Sequence, residues 1–212
     1  KAVSKKLPNT PKVQVFKTYG TAMLLFEDLE IEFVGARKES YNEDSRNPVV
    51  ENGTLEDDQN RRDFTINALA LNLSESQFGD LLDPFDGVSD LKKKIIRTPL
   101  NPDITYSDDP LRMMRAIRFA SQLNFEIEKK SLDAISKNNE RINIITNERI
   151  VVELNRIIES NIPSKGLLLL EQTGLLKHIL PEITALKGID EIEGQKHKDN
   201  FYHTLEVVDN IS

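Results

Sequence analysis

Hydrophobic and polar positions follow two periods along this chain, and the change comes near Pro102. Before it the short-period signal dominates. KVQVFK at 12–17 alternates and predicts a strand. Apolar-rich runs at 22–26 and 29–36, split by Glu27 and Asp28, predict an antiparallel hairpin with a tight turn. Residues 37–58 are charged, polar and almost aperiodic, which predicts a long loop. From Arg61 the pattern turns helical, with Phe64, Ile66, Ala68, Leu69 and Leu71 supplying its buried surface. Arg61 and Arg62 would then sit at a helix start, where cations oppose the dipole, and that misplacement points to a binding task. Residues 79–82 predict a short strand, DPFDG a turn, 88–94 a short helix and KIIR an extended link. Pro99 and Pro102 mark a boundary.

Beyond Pro102 the pattern predicts helix throughout. Asp109 followed by Pro110 makes an N-cap and first-turn pair for a helix burying Leu111, Met114, Ile117 and Leu123. A second helix covers 129–138. A third covers 147–160, with Ile150, Val151, Leu154, Ile157 and Ile158 inward and Glu148, Glu153 and Arg156 outward. Pro163 starts the next helix and Gly174 ends it. Residues 181–200 predict a polar loop, and 203–212 the first turns of another helix.

Composition narrows the class. The 212 residues are 38% hydrophobic and 30% charged, which suits a helix-rich globular chain of one large or two small domains. No apolar run approaches the roughly 18–20 residues of a membrane span, and none resembles a signal peptide. The absence of cysteine excludes disulfides and thiolate metal sites within the chain, so a cytoplasmic location is expected. A net charge of −7 argues mildly against nucleic acid as a partner. Binding depends on local charge, however, and Lys92, Lys93, Lys94 and Arg97 form one basic cluster.

The candidate chemistry lies in two charged stretches, RRDFTINALA at 61–70 and DDPLRMMRAIRF at 108–119. Arg112, Arg115 and Arg118 recur every three residues behind Asp109, on one helix face. Their mutual repulsion calls for something anionic over them, and guanidinium forks match the oxygens of a nucleoside triphosphate. Asp109 and Arg112, one turn apart, present an acceptor beside a planar donor, as the Watson–Crick edge of a base requires. The same spacing equally fits a helix cap with an i,i+3 salt bridge. Asp63 and Asn67, four apart, either bond a ribose hydroxyl or form an ordinary polar face. Glu30 and Glu32 share one side of a strand, and this reads first as the solvent face of an edge strand, with Glu32 a candidate auxiliary metal carboxylate. His197 and His203 near the C-terminus do not by themselves make a metal site, and His178 reads as structural.

These stretches carry a family resemblance. RRDFTINALA resembles motif B of the class II tRNA nucleotidyltransferases, the CCA-adding enzymes and their relatives the bacterial poly(A) polymerases. DPFDGVSDL at 83–91 resembles motif C, DDPLR at 108–112 motif D (usually EDxxR), and RAIRFASQLNFEIE at 115–128 motif E. Four ordered motifs are specific where one would be weak. The resemblance implies an α+β chain: an incomplete polymerase-β-type nucleotidyltransferase head with a small mixed sheet over 1–98, an all-helical base-reading neck over 99–160, and over 161–212 a helical body with the start of an HD-type domain. It implies that Arg62, Asp63, Asn67, Asp109, Arg112, Arg115 and Arg118 bind nucleotide, with Asp109 and Arg112 reading the base of CTP or ATP. Arg115 and Arg118 would hold the triphosphate or keep the base-reading pair in place, and His203 would be the first His of the HD-type domain. Asp108 stands where the family has Glu. Mg²⁺ is the implied cofactor, and tRNA or another RNA 3′ end, CTP and ATP the implied partners. The family's glycine-rich turn and catalytic Asp pair are not found in this sequence, so an internal fragment, inactive alone, is expected. CCA addition, poly(A) addition, CC-only or A-only addition, and nucleotide or RNA binding without catalysis all remain open at this point.

Overall fold

A computed structural model describes residues 3–16, 20–42, 45–188, 191–192, 195–196 and 199–211, with backbone alone for 40–49 and 191–196. The chain divides into two compact units, Lys1–Glu39 with Val50–Asp58, and Ser40–Val49 with Gln59–Ser212.

In the first unit β1 (Val13–Phe16), β2 (Thr21–Phe26) and β3 (Leu29–Val34) form an antiparallel sheet with β2 in the centre. The Phe26↔Leu29 register closes a tight turn over Glu27 and Asp28, as the split between the two runs predicts. Glu27 takes φ 53°, a left-handed conformation that a side chain tolerates only locally. Leu24, paired with Val13 on one side and Ile31 on the other, is the buried residue at the sheet's middle.

The predicted loop at 37–58 is replaced by regular structure. Strands β4 (Arg37–Asn42) and β5 (Ser45–Asn52) pair with each other, and α1 (Leu55–Asn60) follows. Backbone ladders need no apolar alternation, which is why the hydrophobic pattern is blind to them. A reciprocal cap starts α1: Asp57 Oδ2 accepts from the Thr54 amide and hydroxyl at 2.8 Å, and the Asp57 amide donates to Thr54 Oγ1 at 3.1 Å. Those bonds hold the exposed Asp57 carboxyl below its ordinary range.

The helix predicted from Arg61 is also corrected. α1 ends at Asn60, and only a single 3₁₀ turn, Thr65–Asn67, follows. Local bonds outcompete the helix: the Phe64 amide donates to Asp63 Oδ1 at 2.9 Å and the Thr65 amide to the Arg97 carbonyl at 2.8 Å. Arg61 and Arg62 therefore lie just past a helix C-terminus, where cations are favoured, and the dipole argument for a binding task falls.

The short strands β6 (Ala70–Leu71) and β7 (Leu81–Leu82) pair antiparallel, and α2 (Gly87–Lys93) follows the DPFDG turn. Asp83 accepts from the Gly87 and Val88 amides at 2.6 and 2.9 Å. Beyond Pro102 helices dominate: α3 (Pro102–Asp108), α4 (Leu111–Leu123), α5 (Lys129–Asn138), α6 (Asn147–Ile158) and α7 (Pro163–Gln172). Short helices α8 (Leu176–Ile179) and α9 (Pro181–Thr184) and the longer α10 (Asn200–Ile211) follow. The stretch is not wholly helical. β8 (Ile95–Ile96) pairs in parallel with β9 (Glu126–Ile127), and Glu191–Ile192 pairs with Gln195–Lys196. Gly174 closes the turn after α7 with φ 76°.

One apolar core runs from Phe64 and Ile96 through α4 to Phe201 and Leu205. α4 lies against both α6 and α7, and α3 against α5. At the α4–α7 contact Ser121 Oγ lies 2.6 Å from Ser160 Oγ and donates to the Ile162 carbonyl at 2.9 Å. Leu123, Val151 and Ile158, predicted inward, are 44%, 47% and 40% exposed, while Glu153, predicted outward, is 4% exposed. Among the described residues no helix is long and apolar enough to cross a membrane.

Candidate functional site

The site grows from the way α4 starts. Asp109 is extended, and its Oδ1 accepts from the Leu111 amide at 3.2 Å, so its carboxylate caps the helix. Arg112 is buried within the first turn of α4, and its Nη2 donates to the Arg61 carbonyl at 2.8 Å. That bond joins the RRDFTINALA stretch to α4.

The second join is Asp63. This buried carboxylate is fully occupied. Oδ1 accepts from the Phe64 amide at 2.9 Å and Asn67 Nδ2 at 3.0 Å, and Oδ2 accepts from Arg115 Nε at 2.8 Å and Nη2 at 2.5 Å. Asp63 and Asn67 do meet, but through a bent turn and not along a helix face. Asp63 orients Arg115, while Arg62 and Asn67 are exposed beside it.

The third arginine is also paired. Arg118 Nε lies 2.7 Å from Glu153 Oε2, with both side chains less than a tenth exposed. Its guanidinium stacks 4.1 Å above the Phe119 ring. Burial pushes Arg118 below its ordinary range, and the Glu153 charge opposes that shift. The repulsion along the stripe is thus relieved by the protein's own groups: Asp63 faces Arg115 and Glu153 faces Arg118. An anionic ligand is not needed to explain the spacing.

Asp109, Leu111 and Arg115 of this region and Glu148, Arg149, Val152 and Glu153 of α6 line an open cleft of about 400 Å³. An acceptor and a fixed guanidinium therefore face one space, of a size usual for small-ligand sites. Asp108 stands behind it. Burial raises its carboxyl pKa, while Arg112 and Arg141 pull it down.

The DPFDGVSDL segment braces the turn. Asp90, buried, accepts from Thr65 Oγ1 at 2.6 Å and Arg97 Nε at 2.9 Å, and Arg97 Nη2 donates to the Phe85 carbonyl at 2.9 Å. A Cβ on Gly87 would stand 2.5 Å from the Thr65 carbonyl oxygen, so only glycine permits this approach.

Glu32 lies in the other unit, exposed on β3 with Glu30 and paired to Met23. Among the described residues no group of three or more His, Cys, Asp or Glu is placed to hold a metal ion. His203 is exposed on α10, 3.8 Å from Glu206, and His197 lies outside the described residues. Glu153 and Phe119 were missed as site residues. A usable signal was present for the first: Ile150, Glu153, Leu154 and Ile157 follow the i, i+3, i+4, i+7 spacing, with Glu in an apolar slot.

Known proteins resemble this chain in sequence and in fold. Residues 1–97 match the poly(A) polymerase head domain, and 124–187 the probable RNA- and SrmB-binding site of polymerase A. The CCA-adding enzyme of Bacillus velezensis is 38% identical over 181 residues, 84% of this chain and 44% of that protein. The Bacillus stearothermophilus CCA-adding enzyme in complex with CTP is 32% identical with a TM-score of 0.68, over 78% of this chain and 39% of that one. The Thermotoga maritima CCA-adding enzyme complexed with tRNA is 32% identical with a TM-score of 0.71, over 85% and 40%. The chain thus spans less than half the length of these relatives. With residues 1–97 and 124–187 matched by poly(A) polymerase domain models and a CCA-adding enzyme 38% identical over 84% of the chain, the chain belongs to the family of class II CCA-adding enzymes and poly(A) polymerases.

Proposed function

We propose that this chain is the nucleotide-reading part of a template-independent RNA nucleotidyltransferase that adds C, C and A to tRNA 3′ ends from CTP and ATP. The observation that carries the reading is the cleft lined by Asp109 and Arg115, with the buried Arg112 between them in the first turn of α4. Support comes from the likeness to enzymes crystallised with CTP and with tRNA. In this reading residues 1–98 serve as head, 99–160 as neck and 161–212 as body with the beginning of an HD-type domain. Poly(A) addition is the alternative within the family.

In the reaction the RNA 3′-hydroxyl attacks the α-phosphorus of the nucleotide, the P–O bond to the β-phosphate breaks, and pyrophosphate leaves. Mg²⁺ is the cofactor we assign to the whole protein, and no step is routed through the residues described here. Their work is selection. Asp109 offers acceptors to an exocyclic amino group, which both cytosine and adenine carry and uracil lacks. Arg112, held by the Arg61 carbonyl, supplies planar donors to ring acceptors. Arg115, anchored on Asp63, offers its remaining N–H groups to phosphate oxygens. Arg118 keeps α4 in place. A cytoplasmic location suits a tRNA substrate.

Calorimetric titration of the chain with CTP, ATP, GTP and UTP tests the reading. CTP and ATP should bind and UTP should not, and Asp109→Ala and Arg112→Ala should each abolish the preference. Equal binding of all four nucleotides, unchanged in both variants, would overturn it.

A further inference from the structure

Glu153 is the group that this selection mechanism leaves unused. It sits on α6, within the region matching an RNA-binding model, yet its carboxylate is turned inward against the base-reading helix. A buried carboxylate in an apolar stripe costs solvation, and evolution could fill that slot with leucine. The structure shows what the charge touches. Oε2 stands 2.7 Å from Arg118 Nε, and Oε1 stands 3.7 Å from Arg156 Nη1. Arg118 is pressed onto Phe119 at 4.1 Å, and its Nη1 donates to Gln122 Oε1 at 3.3 Å. Phe119 meets Phe64 edge-on at 5.7 Å, and Phe64 is the residue whose amide is fixed by Asp63. Asp63 in turn holds Arg115 in the cleft. Every link is a direct contact, and Glu153 itself lines the cleft beside Asp109 and Arg115.

We propose that Glu153 is a positioning residue for nucleotide binding: it fixes Arg118 on Phe119, and through Phe64 it sets the turn that presents Asp63 to Arg115, the arginine assigned to the phosphates. The inference rests on the cleft being a nucleotide site. The link is physical and contiguous, and its coupling is measurable.

The test measures CTP, UTP and cytidine dissociation constants on the full chain for the wild type, Glu153→Gln, Arg118→Gln, the double variant and Asp109→Ala, with thermal melting in parallel. Glu153→Gln should weaken CTP by about tenfold and leave cytidine unchanged, because the Arg115 it seats serves the phosphates. The double variant should be no worse than either single one, since Glu153 acts through Arg118. A general loss of stability would weaken CTP and cytidine together, and that result would overturn the proposal. Wild-type CTP binding in both Glu153→Gln and the double variant, with the preference for CTP over UTP lost in Asp109→Ala, would overturn it while leaving the nucleotide site standing. Wild-type preference in Asp109→Ala would overturn both. Should Glu153→Gln fail to fold because it strands the Arg118 charge, the double variant, with both charges removed, decides by the same criterion.

Discussion

Asp63 receives two N–H groups of Arg115 on a single carboxylate oxygen, at 2.8 and 2.5 Å, across fifty-two positions of sequence. The pair fixes the one cleft-lining arginine of α4 to the turn that follows α1. Arg115→Lys keeps the charge and loses the fork. It should raise the CTP and ATP dissociation constants by about tenfold while moving the melting temperature by only a few degrees. Calorimetry and thermal melting on the same sample check both.

Asp109 both caps α4 and faces the cleft, and two substitutions separate those roles. Asp109→Asn keeps the capping acceptor, so stability should stay within about 0.5 kcal/mol, whereas Asp109→Ala should cost about 1 kcal/mol. Both should lose the preference for CTP and ATP over UTP. Urea unfolding gives the first quantity and nucleotide titration the second.

Gly166 lets α7 pack tightly against Ile157 of α6 and Ser121 of α4. A Cβ there would stand 2.3 Å from Ile157 Cγ2 and 3.3 Å from Ser121. Gly166→Ala should therefore destabilise the chain by about 1–3 kcal/mol despite alanine's better helix propensity. Combining it with Ile157→Leu, which removes the Cγ2 methyl, should recover part of the loss, as chemical denaturation will show.

Asp108 should make its own mark on the pH dependence. Its carboxyl is raised in the folded state, chiefly by burial, so the folded chain binds the proton more tightly than the unfolded one. That contribution is complete below the unfolded pKa and is lost as pH rises through the folded value. Relative to Asp108→Asn, the wild type should lose stability as the carboxylate range is crossed upward. Melting temperatures of the two proteins between about pH 3 and pH 6 report the difference, and parallel curves would refute it.

Local signals in the sequence located the strands at 13–16, 21–26 and 29–34, the turn at Glu27 and Asp28, and the helices at 129–138 and 163–172. Each rests on interactions within a few residues: alternation, a proline at a first turn, a glycine after a last one. The spacing of the arginine stripe, and the nearness of Asp63 to Asn67, were equally legible because neighbours on the chain stay neighbours in space.

Which charge neutralises which was settled by packing. Arg118 finds Glu153 thirty-five residues away, Arg115 finds Asp63, and Asp90 gathers Thr65 and Arg97. A hydrophobic pattern scores Glu153 as outward because it weighs transfer to water and not the presence of a buried partner. The same blindness placed a helix at Arg61, where bonds to Asp63 and to the Arg97 carbonyl hold a bent turn instead. Charge pairing at a distance is a property of the packed chain, since a carboxylate and a guanidinium gain from burial only once the fold has brought them within reach.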